Sequence, residues 1–290
     1  MSLSTWFERE FLPRHLSGFA PGTIQIYRYL LRHFRKFLGQ PPSLADFSDA
    51  NLLGYCRWRL THGGNQTTVV VEFSRLKAMW EWAARHHQLP EFPDIRCPVK
   101  ALVRTPTAWR PEQVTRLIAG CATIKTRIAG IPGADWWHCL LAIALDTAIR
   151  KGALLRLRWS DADLEAGMIL ARAEDAKTAR DELHQIAPDT VAALRRILEP
   201  ARSLVFPWDR DESTYSRQYG RILRAAGLQG GNRNQTHKMR RTSATWVAQL
   251  GGLEAARAHL GHASAAMTLA HYVDQSQMPA TNWAARFPRP

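Results

Sequence analysis

The chain has 290 residues, 46% hydrophobic and 22% charged, the balance of a globular protein and not of a disordered or fibrous one. Its 39 Lys+Arg against 25 Asp+Glu leave a formal net charge of +14, which favours a polyanionic partner because cations that neutralise phosphates release counterions. No run approaches the about 20 apolar residues that a bilayer span requires, and Glu8, Arg9 and Glu10 deny the start a secretory core.

The N-terminal third reads as helices. Pro21-Gly22-Thr23 opens a segment in which Ile24, Tyr27, Leu31, Phe34 and Leu38 recur at helical spacing until Gly39 and Pro41-Pro42 end it. A second helix is expected from Ser48 to Gly63-Gly64. A third, from about Thr67 to His87, carries Val69, Phe73, Leu76, Trp80 and Ala83 on one side. Basic residues, Arg57, Arg59, Arg75 and Lys77 among them, are expected at exposed positions of these helices. Between Leu89 and Pro111 five prolines interrupt any periodicity, so residues 91–108 are expected to link a helical domain, 1–90, to a second domain, 109–290. Both domains are basic and could grip one polyanion from two sides.

Helices resume at about Pro111–Gly120 and Ala134–Thr147. Leu164, the turn Glu165-Ala166-Gly167 and Met168-Ile169-Leu170 predict a hairpin, with Leu183 to Ile186 as a third strand. Helical patterns return from Asp189 onward. The fold class is mainly α with a small antiparallel β-sheet.

Familiar enzyme signatures are missing: there is no GxxxxGK[ST], no GxGxxG after a strand, no HExxH and no GxSxG. Cys56, Cys97, Cys121 and Cys139 form no CxxC pair, as expected for buried thiols of a cytosolic protein and not for a disulfide framework or zinc site. His259 and His262, three apart, could share a helix face, but without clustered carboxylates or thiols no metal is expected. What remains is a set of cations and imidazoles. Arg150 follows the apolar run Leu140–Leu145, where a charge is costly without an anionic partner. His237 and Arg240 share a helix face in Thr236-His237-Lys238-Met239-Arg240-Arg241, and Tyr272 lies ten residues after His262. Taken singly, each also has a structural explanation: a helix C-terminal cation, a capping imidazole, a core aromatic.

In this order they resemble the tyrosine recombinase (phage integrase) family, from roughly Trp109 to Asp274. Thr147-Ala148-Ile149-Arg150 with Leu154-Leu155-Arg156-Leu157-Arg158-Trp159 resembles the first-arginine box, and Lys177-Thr178 the lysine-bearing β-turn, with Arg180 close by. His237-Lys238-Met239-Arg240 resembles the HxxR box, and Leu260-Gly261-His262 followed by Tyr272 the box that leads to the nucleophile. The sequence departs from the family at Ala153, where an acidic residue often stands three positions after the first arginine.

The resemblance implies a two-domain DNA breaking-rejoining fold that closes round double-stranded DNA as a clamp. It implies a site-specific recombinase that exchanges strands by transesterification through a 3′-phosphotyrosine. In that scheme Arg150 and Arg240 bind the non-bridging oxygens, Tyr272 attacks and His237 assists its deprotonation. His262 hydrogen bonds to the phosphate, and Lys177 protonates the leaving oxygen. One ester replaces another, so no ATP, metal or other cofactor is expected. The expected partners are DNA and three further copies in a tetramer on paired sites, with accessory proteins to set direction, in the cytoplasm at the nucleoid. The tail from Val273 to Pro290, with Trp283 and Phe287, packs either on a neighbouring subunit or on its own domain. With no arm-binding domain before the core, a short-site recombinase is expected. Three other readings stand at this point: a non-catalytic DNA-binding regulator on the same fold, a type IB topoisomerase, and a helical scaffold that binds no nucleic acid.

Overall fold

The computed structural model describes residues 1–175, 180–229 and 236–279, and the chain divides into two compact units, Met1–Arg104 and Thr105–Pro290. The described residues are mostly helical, with two small antiparallel sheets. No helix among them is long and apolar enough to cross a membrane.

In the first unit, α1 (Leu3–Trp6) runs through a π-helical turn, Phe7–Phe11, into α2 (Leu12–His15). Three longer helices follow: α3 (Pro21–Leu38), α4 (Asp49–Thr61) and α5 (Gln66–Arg85). Their ends follow from local chemistry. Pro21 sits in the first turn of α3, where its missing N–H costs nothing, and Gly39 closes the helix with a left-handed φ of 72°. The Ser48 hydroxyl accepts from Asn51 N–H at 3.2 Å and the Asn65 side chain from Thr68 N–H at 2.9 Å, so both helices start on capping residues. Trp6, Phe11, Leu30, Phe34, Leu52 and Leu76 are fully buried in one core.

Two expectations are corrected here. Arg59 is not at the surface but buried. Its Nε donates to Glu72 Oε2 at 3.0 Å and its Nη1 to the His62 carbonyl at 2.8 Å, while Tyr55 Oη donates to the same carboxylate at 2.8 Å. A buried charge persists only when its donors are satisfied this fully. Nor is the stretch after Leu89 a free linker throughout. Ile95, Cys97 and Val99 pack on the first core, and the Glu91 and Ile95 carbonyls accept from Trp80 Nε1 and Lys77 Nζ, so the first unit extends to Arg104.

The second unit is organised round α7 (Gly133–Thr147). Apolar on nearly every face, this helix buries Trp136, Trp137, Leu140, Leu141 and Ile143. α6 (Pro111–Gly120) precedes it, as does an unforeseen two-residue hairpin of β1 (Arg127–Ile128) and β2 (Ile131–Pro132). After α7 come the single turn α8 (Lys151–Leu154) and the strands β3 (Ala162–Asp163), β4 (Met168–Ala171) and β5 (Glu182–Gln185). They form one antiparallel sheet in the order β3-β4-β5, with Ala162 opposite Ile169 and Ala171 opposite Glu182, which is the predicted hairpin and third strand. α9 (Pro188–Ile197), α10 (Glu212–Ala225), α11 (His237–His259) and α12 (Ala265–His271) complete the unit, and α7 packs against both α9 and α11. α11 is bent where Gly252 takes φ 81°.

Candidate active site

Four chain segments meet beside the C-terminal end of α7. The helix stops because the Thr147 hydroxyl bonds back to the Ile143 carbonyl at 2.7 Å and Ala148 turns to a left-handed φ of 55°. That turn delivers Arg150 as the residue capping α8, half-buried. His237 opens α11, and Arg240 follows one turn later on the same face. Arg150, His237 and Arg240 line one small cavity.

α11 ends at His259 with Leu260 as its C-cap, and Gly261 takes the left-handed conformation, φ 63°, that folds the chain back. The positive φ favours glycine here, and a Cβ at this position would displace the carboxylate of Glu182, which lies over Gly261. His262 follows, its N–H bonded to the Arg257 carbonyl at 3.1 Å. His262 therefore lies beyond the helix, and His259 and His262 do not share a helix face. His259 Nε2 is 2.7 Å from the Ser243 hydroxyl, whereas His262 turns to Arg240 and Thr268. Among the described residues no three His, Cys, Asp or Glu side chains are grouped so that they could hold a metal.

α12 begins on the Ser264 cap and brings Tyr272 to its C-terminal end, where Tyr272 N–H bonds to the Thr268 carbonyl at 2.9 Å. The Tyr272 ring packs on Ala148, Ala244 and Leu260. Its centroid lies 4.6 Å from that of His262, 5.6 Å from that of His237 and 5.3 Å from Arg240 Cζ. The adjacent His271 is exposed. Five of the six residues picked out in the sequence thus stand in one place. The sixth, Lys177, lies outside the described residues.

Arg240 is only 3% exposed. Its Nη1 donates to the Ala148 carbonyl, and its Nη2 donates to the Leu260 carbonyl at 2.8 Å and to His262 Nε2 at 3.2 Å. These acceptors carry no charge, and Nε has no partner among the described residues. Burial, then repulsion from Arg150, pull the guanidinium pKa down to about 10, while Tyr272 and Glu182 act in the opposite direction. Burial together with the charges of Arg240, Arg150 and His271 lowers His262 to about 4. His259 is lowered to about 4 by burial and by the neighbouring His184 and Arg240. The site brings Arg150 and Arg240 close enough to repel each other.

These shifts have a consequence for stability. Both imidazoles are held neutral in the fold, against an ordinary value of about 6.5. Between about pH 6.5 and 4 the unfolded chain therefore binds more protons, and stability falls as the pH falls through that window. The melting temperature is expected to be lower at pH 5 than at pH 7.5, with a smaller difference in His259→Asn. Equal melting temperatures at the two pH values would contradict the neutral assignment.

Two residues of the site escaped the sequence reading. Glu182, the first residue of β5, places its carboxylate over Gly261 and bears on Arg240, although nothing in the strand pattern marks it. Thr268, fully buried in α12, contacts His262. Ala153, where an acid was expected, packs against the core.

Residues 108–278 match the family model described as "Phage integrase family". Curated relatives include a protein assigned as tyrosine recombinase XerC of Pseudomonas aeruginosa, 24% identical over 76% of this chain and 57% of its own length. Tyrosine recombinase XerA of Saccharolobus solfataricus is 23% identical over 79% of this chain and 74% of its own length. The match thus spans little more than half of the XerC relative. Among solved structures, a lambda integrase dimer bound to a COC′ core site superposes with a TM-score of 0.75 at 18% identity, over 97% of this chain and 99% of that one. The Tn1549 transposon integrase, in complex with transposon right end DNA, gives 0.74 at 16% identity, over 99% and 98%. At these identities the two structures establish the fold. The family match covers more than half of the chain, which therefore belongs to the phage integrase family of tyrosine recombinases.

Proposed function

We propose that the protein is a site-specific DNA recombinase that cuts and rejoins strands through a covalent 3′-phosphotyrosine, in integration, excision or resolution. The observation that carries this reading is the convergence of His237, Arg240 and His262 round the Tyr272 ring, with Arg150 lining one cavity with His237 and Arg240, and Arg240 buried on neutral acceptors. A buried guanidinium repelled by a second one is in deficit of an anion, and a phosphodiester supplies it. Charge that grows on the non-bridging oxygens during attack then meets the guanidinium groups of Arg150 and Arg240, which line the same cavity.

In the first step the phenolic oxygen of Tyr272 attacks phosphorus, and the bond from phosphorus to the 5′-oxygen breaks. The phenol proton passes toward His237, and the 5′-oxygen takes a proton from Lys177, the general acid that the family resemblance implies. Attack by the 5′-hydroxyl of a partner strand reverses the step and completes exchange with no net loss of ester bonds. Much of the +14 charge would meet phosphates, which sets affinity and not sequence preference. Assembly as a homotetramer on paired sites is supported by analogy with a structure of this fold, a lambda integrase tetramer bound to a Holliday junction, TM-score 0.70.

The decisive test is incubation with a nicked suicide DNA carrying the target site, which traps a protein–DNA adduct stable to denaturation. DNA binding without any adduct would overturn the catalytic reading in favour of a regulator. On a plasmid with two target sites a recombinase yields deletions or inversions, whereas relaxed plasmid alone would mark a topoisomerase.

A further inference from the structure

The hydrogen bonds round His262 determine where its proton sits. A guanidinium has five N–H donors and no acceptor, so the His262 Nε2 atom 3.2 Å from Arg240 Nη2 must present its lone pair. The single proton of the neutral ring is then on Nδ1, which lies 3.0 Å from the Thr268 hydroxyl. That oxygen accepts the proton, because its own hydrogen is directed to the Ser264 carbonyl one turn back, at 3.2 Å. The chain runs in one direction without a conflict: Arg240 donates to His262, His262 to Thr268, and Thr268 to Ser264.

Thr268 also has a second attachment. Its carbonyl accepts from Tyr272 N–H at 2.9 Å and from Val273 N–H at 3.2 Å, so the same buried residue anchors the tyrosine through its backbone and the imidazole through its side chain. A hydroxyl in a helix interior is otherwise a poor choice, since it competes with the backbone for hydrogen bonds.

We propose that Thr268 is a positioning residue that locks His262 as the Nδ1–H tautomer, making His262 the acceptor that fixes the plane of the Arg240 guanidinium. The inference rests on the recombinase reading above for its effect on cleavage, but not for the tautomer itself. It revises the role expected for His262. In this arrangement His262 acts through Arg240, holding the guanidinium by Nη2. If the proton moved to Nε2, two donors would face each other in a buried site, and either the ring or the guanidinium would have to turn away.

The test uses the full chain with nitrogen-15-labelled histidine. His262 is identified by the signals lost in His262→Asn, and the nitrogen shifts and ring couplings report which nitrogen bears the proton. Wild type and Thr268→Ser are expected to show Nδ1 protonated and Nε2 bare. Thr268→Val, which keeps the branched shape and loses the hydroxyl, is expected to lose that pattern. Its single-turnover cleavage of suicide DNA should be about tenfold slower, the contribution of one hydrogen bond in the transition state, and Thr268→Ser should restore it. A wild-type His262 protonated on Nε2 would overturn the proposal, as would a Thr268→Val chain with an unchanged tautomer and rate. Should Thr268→Val fail to fold, the wild-type and serine spectra still decide the tautomer. Should wild type form no adduct with DNA, the recombinase reading fails while the tautomer assignment is judged on its own spectra.

Discussion

Tyr272→Phe is expected to bind target DNA as tightly as wild type and to form no covalent adduct with it. The ring is what the fold uses: it packs on Ala148, Ala244 and Leu260 and meets His262 and His237 through its face and edge, and phenylalanine keeps all of this. The hydroxyl is what the proposed reaction uses. The adjacent His271 is exposed, and no contact places it against Arg150 or Arg240 among the described residues. Loss of the attacking group in well-studied hydrolases lowers turnover by about 10⁶-fold, well below detection in a gel assay. Binding and adduct formation should be measured on the same nicked DNA. An adduct of undiminished yield from Tyr272→Phe would move the nucleophile elsewhere and dissolve the site as drawn.

How much of this arrangement could be read from the sequence depended on the range of the interactions. α6 was legible to the residue, since proline opens it and its apolar spacing is regular, and the β3-β4-β5 sheet was legible because a Glu-Ala-Gly turn separates two short apolar runs. The burial of Arg59 is not legible because helical spacing says which face a residue occupies and not whether a carboxylate 13 positions away, Glu72, will meet it in the interior. The packing of Ile95, Cys97 and Val99 is equally hidden, because prolines exclude a helix without excluding packing. At the site, the residue types and their order were visible through the family resemblance, but the convergence of positions 150, 237, 240, 262 and 272 is a property of the tertiary fold. Glu182 and Thr268 remained hidden for the same reason: each acts on a neighbour distant in sequence or through the direction of a hydrogen bond, and neither leaves a periodic trace.

Arg240→Lys is expected to be the most damaging conservative change in the second unit, and its effects should appear in stability and catalysis together. The guanidinium holds three neutral acceptors at once, the Ala148 and Leu260 carbonyls and His262 Nε2, from a position that is nearly closed to water. A lysine ammonium is a point charge on a flexible stem and cannot span that fork, so at least one buried acceptor is left without a donor, at about 1–3 kcal/mol each. The Ala148 carbonyl belongs to the left-handed turn that delivers Arg150, and the Leu260 carbonyl to the turn that delivers His262, so a change at one residue loosens both. The melting temperature should fall by several degrees, and single-turnover cleavage by about 10³-fold, the scale of losing one preorganised donor to a developing oxyanion. Arg196→Lys, a change at a partly exposed ion pair with Asp135, serves as the control and should leave both quantities near wild type. Wild-type cleavage in a fully stable Arg240→Lys chain would mean that one positive charge is enough, and that the directed donors described here are not what the reaction needs.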